Sequence, residues 1–380
     1  MGRHCAWADH RQAAGEGERM SEDQPLHRPI SRRRFLMRSA QVGLGLTAAG
    51  IAIGGILAQQ RPRPWDPNAF PPPGKARVAI LKASGYNGDL ERTVMDGLNA
   101  IGADVRGLSV LLKPNMVEFD RASVINTDPR LVAATVAAMK RLGARLVTIA
   151  EGPGHRRDTQ YVASSSGLLD LLRDVDTPFV DLNVAAVAQR TLRTSYTQLG
   201  ELWLPLPVLQ ADLVVSMPKM KTHHWGGVTL SLKNMFGVVP GRIYGWPKNV
   251  LHWAGLQQSI VDVAAAVQPR LAIVDGIVGM EGDGPIKGKP IAAGHLVFGT
   301  DPVAVDATSA FLMGVDPMRV EYLAEAARFL GQGSFDQITQ VGEDLERSVT
   351  PFRLRPEFQA LRTGTAGATP GGDPAHAAGG

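Results

Sequence analysis

Apolar and polar positions alternate along the chain in blocks. Short runs rich in Val, Ile and Leu recur at residues 77–81, 109–112, 146–150, 179–182, 212–215, 271–274 and 296–298. Near-continuous apolar runs of this length suit strands buried on both faces, and most are separated by stretches of helical period. The pattern predicts an α/β fold: a mainly parallel sheet with helices on both faces, in a single large body. Asp128-Pro129, Asp301-Pro302 and Asp316-Pro317 each place an N-cap acid before a proline suited to the first helical position. Helices are expected from each, ending near Gly143, Gly314 and Gly331. Threonine precedes two of these pairs, a likeness too short to establish duplication.

The two ends read differently. Ser31, Arg32, Arg33, Arg34, Phe35 and Leu36 match the twin-arginine pattern S-R-R-x-F-L, and an uncharged stretch follows at 40–58. A charged segment before an apolar one is the physical form of a translocation signal. Residues 1–58 are therefore expected to be a signal or anchor region met by the twin-arginine translocase, with the body delivered across the cytoplasmic membrane to the periplasm or outward-facing side. The apolar stretch has 19 residues, against about 20 needed to span a bilayer. No convincing A-x-A site follows it, so cleavage and N-terminal anchoring both stay open. Residues before Met20 lack apolar periodicity, which leaves Met20 open as the start. The proline-rich stretch 59–75 is expected to be an extended tether, 76–350 the α/β domain, and 351–380 a largely disordered tail.

Composition narrows the function. With 380 residues, 44% hydrophobic and 20% charged, the chain can build a sizeable core. Its basic excess sits in the leader: residues 1–58 hold 8 Lys or Arg against 5 Asp or Glu, leaving 32 against 31 elsewhere. A body of net charge +1 has no track for nucleic-acid phosphates, so no nucleic-acid partner is expected. The one cysteine is Cys5, so neither a disulfide nor a cysteine-ligated iron-sulfur cluster is expected in the body.

Candidate chemistry gathers where the strands end, the usual ligand edge of an open parallel sheet. Lys113-Pro114-Asn115 follows one strand and Glu151-Gly152-Pro153-Gly154-His155 another. A third runs into residues 216–224, with Lys219, Lys221, His223 and His224, and Lys233-Asn234 come after two glycines. Lysines beside Gly and Pro hold phosphate or carboxylate as point charges, or are activated by burial for proton or Schiff-base chemistry. Lys113, Lys221 and Lys233 are expected to converge, balanced by an anion or by acids such as Asp275 and Asp306. His223 and His224 could share a metal only if their loop turns. Asp275, Glu281 and Asp283 in a glycine-rich loop could supply oxygen ligands without the EF-hand spacing. Asp301 reads as a helix cap, whereas Asp306 interrupts an apolar helix and needs a partner if buried. The signatures of P-loop NTPases, dinucleotide folds, nucleophile elbows and zinc helices are missing from the sequence.

The order VLLKPN, NTDP, AEGPG, ADLVVSMPKMKTHHWGGVTLSLKNMFGVVPG, IVDGIVGMEGDGP and GTDPVAVDA resembles domain-of-unknown-function family 362 over about residues 77–315. The block 218–241 is the most specific part. The resemblance implies a single α/β body whose site is formed by Lys113, Asn115, Lys219, Lys221, His223, Lys233, Asn234, Asp275 and Asp306. Many relatives carry a ferredoxin-like segment with cysteine ligands, and this chain has none. Two readings stay open. One is an exported enzyme on a phosphate- or carboxylate-bearing small molecule, with Lys113, Lys221, His223 and Asp275 in catalysis and Asn115, Lys219, Lys233 and Asn234 binding substrate. The other is a noncatalytic cofactor- or ligand-binding or maturation protein of a redox system. Cofactor, metal and oligomeric state stay undetermined at this level.

Overall fold

The computed structural model describes residues 63–154, 158–246 and 248–364. The twin-arginine run, the apolar stretch 40–58, His155 and residues 365–380 lie outside them. Twelve strands are present among the described residues: β1 (Ala76–Lys82), β2 (Ser109–Pro114), β3 (Leu146–Glu151), β4 (Phe179–Asp181), β5 (Val187–Thr191), β6 (Glu201–Pro205), β7 (Leu213–Met217), β8 (Lys219–His223), β9 (Gly227–Thr229), β10 (Leu271–Glu281), β11 (Lys289–Gly299) and β12 (Ile338–Gly342). The large sheet runs β12-β1-β11-β10-β7-β2-β3-β4, with β8 and β9 added beside β10. Its β10-β7-β2-β3-β4 half is wholly parallel, and β11 runs antiparallel between β1 and β10. β5 and β6 form a separate hairpin.

Both faces of this sheet are apolar, because successive side chains point to opposite sides. Ala272 and Val274 join one core with Val78 and Ile80, and Leu271 and Ile273 join another with Ala79 and Phe298. Helices Leu90–Ala100 and Pro129–Arg141 cover the second core, and Leu256–Val267 and Pro302–Leu312 the first. This is the mainly parallel, two-sided α/β body that the apolar runs predict.

Asp128 and Asp301 cap their helices as expected, accepting backbone N–H groups of Arg130 and of Val303 and Ala304. Asp316 caps only the 3₁₀ turn Pro317–Arg319, because Val320 is extended and helix Glu321–Ala326 starts afresh.

The domain edges differ from the expected tether and tail. Trp65 stacks on Phe329 with centroids 4.9 Å apart, and Phe70 meets the same ring edge-on at 5.0 Å. Ser195 N–H donates to Pro64 O at 2.8 Å. Proline removes ladder donors, but it does not stop neighbouring aromatic rings from burying area, and here the rings decide. At the far end Phe352 and Leu354 are buried, and Gly282 N–H donates to Arg353 O at 2.8 Å. Packing therefore extends from 63 through 364.

Candidate functional site: five lysines at the carboxyl edge of the sheet

At the carboxyl end of β2, Lys113 follows three buried apolar residues and is itself fully buried. Its Nζ donates to Glu151 Oε1, to Pro114 O at 3.0 Å and to Asn234 Oδ1 at 3.2 Å. Glu151 ends the adjacent parallel strand β3. Asn234 returns its amide to Lys113 O at 3.0 Å and to Ser216 Oγ at 3.1 Å, and Asn115 Nδ2 reaches Asn234 Oδ1 at 3.2 Å. Burial pushes the Lys113 amine down, and Glu151 opposes the shift. Gly237 leaves room for this amine: a Cβ there would lie 2.6 Å from Lys113 Nζ, so the lysine end would have to shift.

Lys219 forms a second buried pair. Pro218 separates β7 from β8, and β8 then pairs with the distal part of β10, matching Lys219 to Asp275 and Lys221 to Met280. Lys219 Nζ lies 2.7 Å from Asp275 Oδ2, 2.9 Å from Tyr86 Oη and 3.0 Å from Val278 O. Asp275 also accepts from Tyr86 Oη at 2.7 Å and Asp128 N–H at 2.9 Å. The Thr127-Asp128 segment thus closes over this pair, with Thr127 Oγ1 donating to Met217 O at 2.7 Å.

The other three lysines have no carboxylate within salt-bridge range among the described residues. Lys248 is buried in a left-handed backbone conformation, φ 69°. It gives its three donors to Gly152 O (2.8 Å), Gly237 O (2.8 Å) and Phe236 O (3.3 Å). Desolvation lowers its pKa to about 7. Lys221, also fully buried, reaches only Ile125 O at 2.9 Å and Pro285 O at 3.5 Å. Burial depresses it strongly, with Lys233, Lys219 and Lys113 adding to the effect. Lys233 makes no hydrogen bond among the described residues and lies 5.9 Å from the centroid of Phe236. Part of its side chain stays open to solvent, yet the protein around its amine lowers the pKa to about 8. An ammonium has three donors. Lys113, Lys219 and Lys248 use all of theirs, Lys221 keeps one, and Lys233 keeps every one.

Three imidazoles surround this open corner. His223 Nδ1 accepts N–H from Trp225 at 3.0 Å and Gly226 at 3.1 Å, which assigns its hydrogen to Nε2. His252 Nδ1 lies 3.2 Å from Lys248 O and so carries the hydrogen, leaving Nε2 as acceptor. His223, His224 and His252 are all pushed down, first by burial and then with Lys233 among the contributing charges. The rings of His223 and His224 approach to 4.8 Å, so the chain does turn there, into β9 through Gly227 at φ 73°. Among the described residues no three His, Cys, Asp or Glu side chains gather as a metal-holding group. Trp225 stands at the rim, 58% exposed and edge-on to His252 at 5.7 Å. Two buried polar atoms beside the lysines, Asn115 Oδ1 and Thr229 Oγ1, have no hydrogen-bond partner among the described residues, and Thr229 is paired with Lys221 across β8 and β9.

The family model of the domain of unknown function (DUF362) matches residues 110–311. The chain belongs to this family. It is 30% identical over 262 residues to the thylakoid-associated protein sll1697 of Synechocystis sp. (strain ATCC 27184 / PCC 6803 / Kazusa), covering 66% of this chain and 78% of that protein. Among solved structures it resembles the lactate racemase apoprotein from Thermoanaerobacterium thermosaccharolyticum, with TM-score 0.39 and 14% identity over 65% of this chain and 58% of that one. A Thermotoga maritima protein gives TM-score 0.34 and 11% identity over 58% and 57%. The chain spans under six tenths of the length of either solved structure, and neither likeness bears on chemistry.

In this DUF362 chain most of the sequence-predicted residues separate into three groups. Lys113, Asn115 and Asn234 form one hydrogen-bonded unit, Lys219 and Asp275 a second, and Lys221, His223 and Lys233 the open corner. Lys113 is not an unbalanced cation, because Glu151 meets it. Asp306 balances no lysine: it accepts N–H from Ser231 at 2.7 Å and Leu232 at 2.9 Å, fixing the turn that carries Lys233 and Asn234. Burial raises its pKa to about 8. Glu281 and Asp283 pair with Arg353 and Arg355 instead of joining Asp275. Sequence reasoning missed Tyr86, Lys248 and His252 and gave Glu151 no role. Glu151 alone had a signal, an acid closing an apolar strand beside the one that ends in Lys113.

Proposed function

We propose that this DUF362 protein is exported and acts on a phosphate- or carboxylate-bearing small molecule held between Lys221 and Lys233, with His223 donating from Nε2. The observation that carries the reading is the donor count: two neighbouring lysines, when protonated, retain unused N–H groups and have no acid among the described residues. Like charges in a partly dry corner repel, by about 1 kcal/mol per pair at 4 Å in water and more where water is excluded. A bound anion relieves that repulsion and accepts the free donors. Neutral imidazoles beside it are placed to accept a proton. The twin arginines and apolar stretch support export. Among the described residues no helix is long and apolar enough to cross a membrane; the apolar stretch 40–58 is our candidate for an anchor, and the thylakoid association named for the Synechocystis relative agrees with a body working beside a membrane.

Calorimetric titration with inorganic phosphate and small carboxylates tests the site. Lys233→Ala and Lys221→Met should each weaken binding about tenfold or more, equivalent to about 1.4 kcal/mol. Unchanged affinity in both variants would remove the reading. Conversion of the bound anion marks an enzyme, and its release unchanged marks the binding-protein alternative. For export, Arg32 and Arg33 changed together to Lys should keep the charge yet block translocation, because a receptor reads the guanidinium pair; normal export of that variant would discard the signal.

A further inference from the structure

We propose that Lys233 is a nucleophilic amine that condenses with the carbonyl carbon of a small oxo acid, forming an imine. The proposal rests on the anion-binding reading in one respect: Lys221 holds the acid group of the molecule whose carbonyl meets Lys233.

Three of the five lysines are chemically masked. Every N–H of Lys113, Lys219 and Lys248 is directed at an oxygen, so releasing a proton and presenting a lone pair would break a formed bond. Lys233 loses no such bond, and its side chain is partly open to solvent. Its base is nonetheless held firmly. Asp306 fixes the N–H groups of Ser231 and Leu232, and Asn234 is tied to Lys113 and Ser216. Gly226 flanks the stem so closely that a Cβ would lie 3.2 Å from Lys233 Cε. An amine on a fixed stem, facing neutral imidazoles instead of a carboxylate, is the arrangement that lets a lysine attack carbonyl carbon. Its pKa of about 8 leaves roughly a tenth of it neutral at pH 7.

The step balances with what is present. The neutral Nζ lone pair attacks the carbonyl carbon, a C–N bond forms, and the C=O π pair moves to oxygen, which takes a proton. The nitrogen loses one proton, and the hydroxyl takes a second proton from solvent and leaves as water, so the product is the protonated imine. No oxidant or reductant is consumed. His252 Nε2, an acceptor because Nδ1 faces Lys248 O, takes the proton from nitrogen and returns it to oxygen, while the Nε2–H of His223 donates a hydrogen bond to that oxygen. Lys221 beside them holds the carboxylate, and the bound carboxylate in turn favours the charged form of Lys221.

The test uses the full chain with glyoxylate and cyanoborohydride, which reduces an imine to a stable secondary amine. Peptide mass spectrometry then follows a carboxymethyl mark on each lysine over time, with and without inorganic phosphate. Lys233 should be marked at least tenfold faster than the exposed Lys82 and Lys289, and phosphate should slow it. Lys233→Arg, with its fold checked by circular dichroism, should lose the fast mark. Marking of Lys233 no faster than Lys82 and Lys289 overturns the proposal, even if phosphate binds and the anion reading stands. Fast marking that phosphate leaves unchanged supports the imine and counts against the anion site.

Discussion

The floor and the rim of the cleft use the same residue type to opposite ends. On the floor Lys113 and Lys219 each face a carboxylate and spend every donor; at the rim Lys221 and Lys233 face none. Dryness does not separate the two: Lys113 and Lys221 are both at 0% exposure and Lys219 at 2%, and Lys233 alone of the four is partly open. A buried ion pair is close to neutral for stability against an apolar substitute, but losing one partner is strongly destabilising. Burial of a lysine therefore says little about its role, while the tally of its donors separates a strut from a reagent.

Three substitutions press on that contrast. The largest effect belongs to the floor: Glu151→Gln strands Lys113 in a dry place and should cost about 3–5 kcal/mol in a denaturant titration. A cost below about 1 kcal/mol would mean that the floor needs no acid and the contrast fails. Gly237→Ala comes next. The added Cβ would meet Lys113 Nζ at 2.6 Å and Cε at 2.8 Å, and overpacking of this kind costs about 1–3 kcal/mol; a neutral result would show the floor to be soft. The smallest effect is at the rim and carries a sign. Lys233 has a folded pKa of about 8 against an ordinary 10.5. Between these values the unfolded chain binds more protons, so stability should rise with pH from about 8 to 10.5. Lys248 contributes a rise of the same sign that begins near pH 7. Lys233→Met should remove only its own part, about 1 kcal/mol after allowance for partial exposure. Identical pH profiles for the variant and the parent would place Lys233 in ordinary solvent.

Much of the frame was legible because two-sided strands have a one-letter signature. The apolar runs ending at Leu112, Ala150 and Val215 lie in β2, β3 and β7, at the heart of the parallel half. β12 escaped notice because it is an edge strand with one buried residue, Ile338, in a polar stretch. β8 was read as a loop because Lys219, Lys221 and His223 look like surface sequence, yet all five residues of that strand are buried. The glycines of 275–284 concealed that β10 continues to Glu281, its later residues paired with β11. In the site, the identities of the lysines were legible and their partners were not. Lys248 is held by three backbone carbonyls from two distant segments, and a carbonyl is present at every residue, so no residue type announces it.

The aromatic contacts of residues 63–75 bear on how the molecule can be divided. Trp65 and Phe70 both lie against Phe329, and Tyr196 approaches the same ring at 6.0 Å. A fragment begun at residue 76, where the first strand starts, would strip two rings from that stack and bare an apolar patch beside helix Glu321–Ala326. Proteolysis of the intact chain should accordingly spare the prolines at 71–73, and a shortened version made for the bench holds together when it begins no later than Arg63.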